Sequence, residues 1–270
     1  MSSSDSETSS NADAARIDFL EKSDYRSMNL AALGINYRAR DKSSTPAWVA
    51  DLIAKMQKAC LDEEARLKKP RPINSQSQLS KEILLEPKEP PIGMSSGLLF
   101  KQHIIPRNPA RYWIEIADPK PDMVLGYEAS ISAFSRLATS ERLWRQKDLL
   151  YVNSDCLMFP YLIWNEVPWD CTRRAIINKC LGESAACIHV NERVFKEDNV
   201  VFSIVPGDRN ILLNVMWKED DEYLSTTFET LNLCNLDEYT KYGRILLNIH
   251  DWAKGERLAA ITKGLDAWKG

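Results

Sequence analysis

Basic side chains gather near the start of one predicted helix in the middle of the chain. Arg173 and Arg174 are adjacent there, and Lys179 follows within two helical turns. Arginine and lysine bind phosphate groups through charge-assisted hydrogen bonds, so this basic patch would suit a phosphate of a nucleic acid. Two arginines beside a helix start are also an ordinary surface feature, and the sequence leaves both interpretations open.

The residues that most often bind zinc are poorly placed for that role. The six cysteines contain no Cys-x-x-Cys pair, and the three histidines lie far apart in the sequence. Because a structural zinc ion takes four ligands of these types at close spacing, we predict no zinc site. We expect reduced, mostly buried thiols instead, as in a protein that works inside the cell. No glycine-rich phosphate loop, dinucleotide-binding fingerprint or metalloprotease helix motif occurs.

Length and charge limit the class of protein. The chain has 270 residues, of which 44% are apolar and eight are tryptophan, so it can bury a sizeable core in one large or two small domains. The net charge is −3 and the isoelectric point is about 5.8. Non-specific binding to nucleic acids depends on Lys and Arg neutralising phosphates. An acidic chain therefore disfavours such binding over its whole surface but leaves room for a local basic patch.

The N-terminal segment is predicted to be a disordered acidic tail. Residues 1–15 are rich in Ser, Asp and Glu and have no apolar stretch of a secretory signal. No apolar run in the chain approaches the ~20 residues of a membrane helix. We therefore expect no membrane partner and an intracellular location, in the cytoplasm or the nucleus.

The chain divides into further regions after this tail. Residues 16–69 are predicted to form a helical extension, in which Thr45 caps a helix that ends at Lys69. Residues 70–107 are rich in Pro, Ser and Lys and are predicted to be an irregular surface segment. Residues 108–270 carry the strand-like runs and are predicted to be the folded core.

The order of elements in the core predicts an α/β (or α+β) fold with a central mixed sheet flanked by helices. Strands are predicted at 112–116, 122–127, 157–165, 199–205, 211–217 and 222–233. Helices are predicted at 129–145, 173–190 and 235–268, the second with an alternative change to a strand at 187–190 and the third with a bend at Gly255. The run 157–165 suits a central strand buried on both faces, while Pro160 within it predicts a bulge or an edge position.

Three short motifs follow one another along this core. They read Pro119-Lys120-Pro121-Asp122 with Gly126-Tyr127, then Phe159-Pro160-Tyr161-Leu162, then Asn178-Lys179-Cys180-Leu181-Gly182-Glu183. A Pro-Asp before one apolar strand, a second apolar strand and a helix of small residues resemble the core of the PD-(D/E)XK nuclease superfamily. The resemblance is strongest to a group of uncharacterised fungal proteins with that core. It implies a restriction-endonuclease-like fold over about residues 109–268, with weaker agreement at 25–35.

The resemblance also implies a place for the chemistry. In such nucleases the Asp of the first strand and a Glu of the second bind a divalent metal ion, and a Lys two residues later orients the attacking water. Alignment on the second motif puts the Glu on Asn165, the Lys on Val167 and a Gln of the next helix on Lys179. Mg²⁺ prefers carboxylate oxygens, so Asp122 still suits it, whereas Asn165 offers a neutral carbonyl oxygen and Val167 offers nothing. The implied catalytic set is therefore degenerate.

A rebuilt site is the alternative. Glu166 lies next to Asn165, although strand alternation points it to the opposite face unless the chain bulges. If a bulge turned Glu166 inward and Lys179 replaced the missing lysine, Asp122 and Glu166 could bind Mg²⁺ in an active nuclease. Without that rearrangement the protein is a pseudoenzyme that needs no cofactor and has a binding, accessory or regulatory role. A third hypothesis is a protein-interaction module, with protein rather than nucleic-acid partners.

Overall fold

Among the residues it describes, the computed structural model of the chain contains one seven-stranded mixed sheet. The described residues are 18–22, 24–37, 45–58, 92–107, 116–129, 149–168, 171–195, 199–207 and 209–267. In chain order the strands are β1 (Ile35–Tyr37), β2 (Ile92–Ser95), β3 (Met123–Glu128), β4 (Leu157–Trp164), β5 (Val200–Pro206), β6 (Asn210–Glu219) and β7 (Glu222–Asn232). Their spatial order is β1-β7-β6-β5-β4-β3-β2. With helices on the sheet, this confirms the predicted α/β fold.

Helices cover both faces of the sheet. The longer ones are α1 (Ala47–Gln57), α2 (Arg173–Asn191), α3 (Leu236–Trp252) and α4 (Leu258–Ala267). Two π-helical segments (Tyr25–Leu30 and Ala253–Arg257) and two 3₁₀ turns (Ala31–Leu33 and Gln102–Ile104) are also present, and residues 18–21 are helical. One hydrophobic core lies between the sheet and α2 with the first π-helical segment. The other lies between the sheet and helices α1, α3 and α4.

Helix α2 connects the two central parallel strands. β2, β3 and β4 pair antiparallel, and β4 then pairs parallel with β5. Parallel neighbours need a crossover connection, which α2 supplies across one face of the sheet. β5, β6 and β7 continue antiparallel, and β1 adds to the outer edge of β7 in parallel. The strand after Asp122, the next strand and α2 therefore meet at one place.

Strand β4 is buried along its whole length, as predicted for the apolar run. It is also irregular where Pro160 predicted a bulge. The pairing with β3 shifts between Leu125, which faces Leu162, and Tyr127, which faces Met158. Phe159 takes a φ of +46° inside this bulge, where the regular pairing of the two strands is interrupted.

Helix α2 runs without interruption from Arg173 to Asn191, so the alternative change to a strand at 187–190 is wrong. Its N-cap is Thr172, whose hydroxyl oxygen accepts a hydrogen bond from the backbone N–H of Ala175 at 3.2 Å. Most of its residues are buried, and many are small. Small side chains let the helix lie close to β4 and β5.

Helix α1 is shorter than its periodicity predicted. The pattern predicted a helix capped by Thr45 and continuing to Lys69, but Pro46 precedes the first helical residue and Lys58 is already extended, with ψ of 138°. The side-chain amide of Asn248 on α3 donates to the carbonyl oxygens of Met56 and Lys58 at 2.8 and 3.0 Å. These bonds satisfy carbonyls that the helix leaves unpaired at its end.

Two strands come from regions that were not predicted to be extended. β2 lies within the segment 70–107, so the prediction of irregular structure is wrong for residues 92–95. β1 follows Gly34, whose φ of +73° ends the preceding helical turn, a left-handed conformation that glycine adopts readily at helix ends. The N-terminal extension therefore contributes a strand to the sheet, and its backbone is tied to β7 by the Tyr223 N–H, which donates to the Gly34 carbonyl at 2.7 Å.

Some predictions lie outside the described residues. They are the tail at 1–15, the part of the first predicted helix at 59–69, the irregular segment at 70–91, the strand at 112–115, the helix at 129–145 apart from Ala129, and Trp268 at the end of the last helix. The other predicted strands and helices of the core are confirmed within a few residues of their ends. Within the described ranges, no helix is both long and apolar enough to cross a membrane.

Candidate functional site

Asp122 stands immediately before β3 and binds two groups through one oxygen. Its Oδ2 accepts a hydrogen bond from the backbone N–H of Glu166 at 2.8 Å and from Lys179 Nζ at 3.0 Å. The Lys179 side chain is 11% exposed and that of Asp122 is 38% exposed. The structure thus brings together two residues that the sequence singled out, as a partly buried ion pair between β3 and α2.

Asn165 follows β4, and its side chain links the start of β3 to helix α2. It is completely buried. Its Oδ1 accepts from the backbone N–H of Asp122 at 3.2 Å, and its Nδ2 donates to Glu183 Oε2 at 2.7 Å. The same Nδ2 also lies 3.1 Å from Cys180 Sγ. Because the oxygen faces a donor and the nitrogen faces acceptors, both ends of the amide are satisfied.

Glu183 is the carboxylate that the sequence reasoning missed. It is 1% exposed and lies on α2, one turn beyond Lys179. Besides the bond from Asn165, its Oε1 accepts from the backbone N–H of Lys120 at 3.1 Å. The sequence did contain a signal for Glu183, because this residue interrupts a run of small and apolar helical residues. A carboxylate in such a buried run needs hydrogen-bond donors from elsewhere in the chain. We call Asp122, Asn165, Lys179 and Glu183 the polar junction.

Cys180 borders the polar junction but is not a reactive thiol. Burial raises the pKa of the Cys180 thiol to about 12, with a further contribution from the negative charge of Glu183. Since the thiolate is the nucleophilic form, Cys180 stays protonated and unreactive at neutral pH. It acts here as a small buried side chain that accepts a weak hydrogen bond.

Glu166 and Val167 lie beyond the end of β4. The strand ends at Trp164, so the expected alternation of strand faces does not apply to these two residues. The contact between Glu166 and Asp122 runs through the backbone N–H of Glu166. Val167 packs against a small apolar cluster formed by Ile176, Cys180 and Val205. The bulge in β4 is centred on Phe159 and Pro160, well before this end of the strand.

The donor atoms of the polar junction do not fit a divalent metal ion. Mg²⁺ takes about six oxygen ligands in near-octahedral geometry. Asp122 Oδ2 already holds an ammonium group, and each oxygen of Glu183 accepts a hydrogen bond in a buried position. Over the ranges that the structure describes, no three His, Cys, Asp or Glu side chains are grouped to hold a metal ion. The positive charge beside Asp122 is supplied by Lys179.

A second feature, the arginine cluster, lies at the start of α2 and consists of Arg26, Arg173 and Arg174. Arg173 and Arg174 are exposed in the first turn, which contains no acidic residue. Arg26 comes from the first π-helical segment. Its Nε donates to Asn178 Oδ1 at 2.8 Å, and its guanidinium lies 5.4 Å from the centre of the Tyr37 ring.

The charges of this cluster are close enough to affect one another. Burial lowers the pKa of the Arg26 guanidinium, and the positive charge of Arg174 lowers it further. One carboxylate lies at the same helix end, since Glu21 Oε1 accepts from the backbone N–H of Thr172 at 2.8 Å. The sequence predicted Arg173 and Arg174 here but gave no reason to place Arg26 beside them.

Two of the three histidines are neutral structural residues. Burial is the main cause that lowers the pKa of His189 to about 4, and likewise that of His250 to about 4. Their ring nitrogens lie within hydrogen-bond distance of tyrosine hydroxyls, those of Tyr223 at 3.2 Å and Tyr161 at 2.9 Å. Neither histidine is in hydrogen-bond contact with the polar junction, so neither serves as an acid or base there.

No protein-family model and no curated protein matches the chain.

Proposed function

We propose that the chain is a nuclease-like protein without metal-dependent phosphodiester hydrolysis, which keeps a binding role of an accessory or regulatory kind. One observation carries this proposal: the ammonium of Lys179 lies 3.0 Å from Asp122 Oδ2, while the neighbouring strand position holds an amide, Asn165. Asp122 is therefore paired with an ammonium group of the chain itself, at the position where a metal ion would have to contact the carboxylate.

The electrostatics support an inactive junction. A metal nuclease needs a divalent cation to stabilise the charge that develops on the phosphoryl group. A cation approaching Asp122 here would meet the like charge of Lys179, and repulsion between unit charges is strong in a partly buried site. Recruiting Glu183 would require breaking its bonds to Asn165 and to the Lys120 backbone. The active-nuclease alternative built from Asp122, Glu166 and Lys179 is therefore the less favoured one.

The arrangement of elements supports the relationship to nucleases. Pro121-Asp122 precedes β3, β4 follows beside it, and α2 comes next. This is the order on which the sequence resemblance rests. The departures from the family pattern fall on the residues that would act on a substrate.

The binding role is best matched by a nucleic-acid backbone at the arginine cluster. Like-charged guanidinium groups are held close together at the positive end of the α2 dipole. Phosphates would relieve that repulsion and accept charge-assisted hydrogen bonds. The chain carries a net charge of −3, so such binding would be local. The cysteines that the structure describes are all free thiols, which fits the proposed intracellular setting in the cytoplasm or nucleus.

A hydrolysis assay tests the loss of catalysis. Single- and double-stranded DNA and RNA are incubated with the wild type, Asp122→Asn and Lys179→Met in the presence of Mg²⁺ or Mn²⁺. We expect no cleavage above the level of buffer with metal for any of the three proteins. Cleavage by the wild type that disappears in Asp122→Asn, but not in the surface control Asp51→Asn, would contradict the proposal.

A binding assay tests the proposed partner. Fluorescence anisotropy with labelled oligonucleotides is measured at several salt concentrations for the wild type and for Arg173→Gln/Arg174→Gln. The plot of log K against log salt should become shallower by about 2 in the variant, because two phosphate contacts are removed. The charge-matched control Lys58→Gln/Lys263→Gln, on the other face of the sheet, should leave the slope unchanged. If the wild type binds no oligonucleotide, the protein-interaction hypothesis takes precedence.

A further inference from the structure

A cleft lies on the opposite face of the sheet, between α1 and the junction of α3 with α4. Its volume is about 240 Å³. Drug-sized ligands occupy pockets of about 300–1,000 Å³, so this cleft has room for a smaller molecule. The residues that line it are Trp48, Asp51, Leu52, Lys55, Phe195, Trp252, Glu256, Arg257 and Ala260. We call it the α1 cleft.

A buried guanidinium belongs to the lining of the α1 cleft. Arg257 is 2% exposed, and its terminal nitrogens donate to the carbonyl oxygens of Pro160 at 2.9 Å and Val200 at 3.3 Å. The first carbonyl lies at the bulge of β4 and the second at the start of β5. The guanidinium carbon also lies 5.1 Å from the centre of the Phe195 ring and 5.2 Å from that of Trp252.

The structural role of Arg257 leaves part of the side chain unused. Its Nε is buried and has no hydrogen-bond partner. No carboxylate in the described residues forms an ion pair with it. A buried charge without a counter-charge is costly, and carbonyl dipoles and aromatic rings compensate it only in part. An anion is the group that this side chain lacks.

The walls of the α1 cleft are aromatic and aliphatic. Trp48 is 36% exposed, whereas Phe195 and Trp252 are almost completely buried. Leu52 and Ala260 add aliphatic surface. The π-helical segment Ala253–Arg257 forms one side, and such segments occur frequently at functional sites.

The remaining charges of the lining set the electrostatic balance. Lys55 and Glu256 form an ion pair with each other across the cleft, so their charges largely cancel. Asp51 is exposed on α1 and would weakly repel an anion. The buried charge of Arg257 outweighs that of Asp51, because water screens an exposed carboxylate far more than a buried guanidinium.

We propose that the α1 cleft is a binding site for a small organic anion with a flat apolar body. The carboxylate of such a molecule pairs with Arg257, and its body packs against Trp48 and Leu52. This site lies on the other face of the sheet from the polar junction and the arginine cluster, so the proposal is independent of the nuclease resemblance.

The charge requirement is tested on the wild-type protein with three probes of the same size. Benzoate, benzyl alcohol and benzylamine are titrated by calorimetry and by NMR of the tryptophan indole N–H signals. Benzoate should bind at least about tenfold more tightly than the other two, a difference of about 1.4 kcal/mol, because charge-assisted hydrogen bonds are the stronger ones. Equal binding of the neutral or cationic probe, or no binding of benzoate at millimolar concentration, would overturn the proposal.

The location is tested with variants that leave Arg257 in place. Trp48→Ala should weaken benzoate binding about fivefold or more by removing an aromatic wall, and Asp51→Asn should strengthen it about twofold by removing a repulsive charge. Met28→Ala, which truncates an exposed apolar side chain elsewhere, is the matched control. Benzoate binding that is unchanged in Trp48→Ala, or weakened equally by Met28→Ala, would place the binding outside the cleft and overturn the proposal.

Discussion

Two polar regions of the molecule differ in how completely their charged groups are paired within the chain. In the polar junction, the carboxylates of Asp122 and Glu183 both receive hydrogen bonds from within the chain, and Asp122 is paired with Lys179. In the α1 cleft, Arg257 keeps a donor without a partner and has no carboxylate beside it among the described residues. A satisfied network stabilises the fold and leaves little for a ligand, whereas an incomplete one has binding capacity left over.

The comparison also shows that the residues of the nuclease resemblance and the residues with room for a ligand lie in different parts of the molecule. The polar junction lies where the nuclease resemblance implies the active site, and yet its groups are turned toward each other. The α1 cleft has no counterpart in the sequence motifs, and its groups leave room for a ligand. A sequence resemblance alone does not decide which surface of a protein carries its function.

The largest expected effect comes from opening the polar junction at Glu183. Replacing Glu183 with Ala leaves the buried Asn165 amide and the Lys120 N–H without their acceptor, which should lower the free energy of unfolding by about 2–4 kcal/mol. Urea denaturation measures this change. Glu192→Ala is the control, because its ion pair with Lys218 is more exposed and should contribute less than about 1 kcal/mol. Equal effects of the two substitutions would show that the junction is not a satisfied network.

The next largest effect is on stability at acid pH. It comes from His250 of α3, on the face of the sheet that carries the α1 cleft. Burial lowers the pKa of His250 to about 4, while an unfolded histidine titrates near 6.5. Between these values the unfolded chain binds a proton that the folded chain does not, so stability falls as the pH falls through this range. His250→Gln, which can still bond to the Tyr161 hydroxyl, should remove about 2–3 kcal/mol of that loss. An unchanged slope of unfolding free energy against pH would contradict the assignment.

A smaller effect on stability is expected for the ion pair between Asp122 and Lys179. A double-mutant cycle with Asp122→Asn and Lys179→Met should give a coupling energy of about 0.5–1 kcal/mol, since the carboxylate is partly exposed to water. The four unfolding free energies are measured by urea denaturation. Additive effects of the two substitutions would mean that the pair does not interact in solution.

The smallest effect should come from the wall of the α1 cleft. Trp48 is 36% exposed, so Trp48→Ala should change the free energy of unfolding by less than about 0.5 kcal/mol. Thermal unfolding of the variant without ligand checks this. A loss of several kcal/mol would mean that Trp48 belongs to the core rather than to a binding surface.

Much of the fold could be predicted because its signals are local. The unbroken apolar run of β4, the hairpin of β5 and β6, and the Asn235 cap of α3 each depend on neighbouring residues. In the structure Asn235 Oδ1 accepts a hydrogen bond from the backbone N–H of Asp237 at 2.9 Å. β1 has three residues and pairs with residues 223–225, so nothing near it in sequence indicates a strand.

The candidate site was predictable only in part. The resemblance singled out Asp122 as the family Asp and Lys179 as the residue in place of a family Gln, and their contact follows from the way α2 returns over the sheet. The role of Glu183 depends on Asn165 and on the Lys120 backbone, 63 residues away in sequence. Arg257 depends on a bulge in β4, 97 residues before it. Such contacts are fixed by tertiary packing, which sequence periodicity does not contain.

We propose that Lys179 supplies to Asp122 the positive charge that a metal ion would otherwise supply. Calorimetric titration of Mn²⁺ into the wild type and into Lys179→Met tests it most directly. We expect no binding heat for the wild type at millimolar Mn²⁺ and measurable binding once the ammonium is removed. Binding by the wild type that is abolished in Asp122→Asn would contradict the account and restore the metal-dependent nuclease hypothesis.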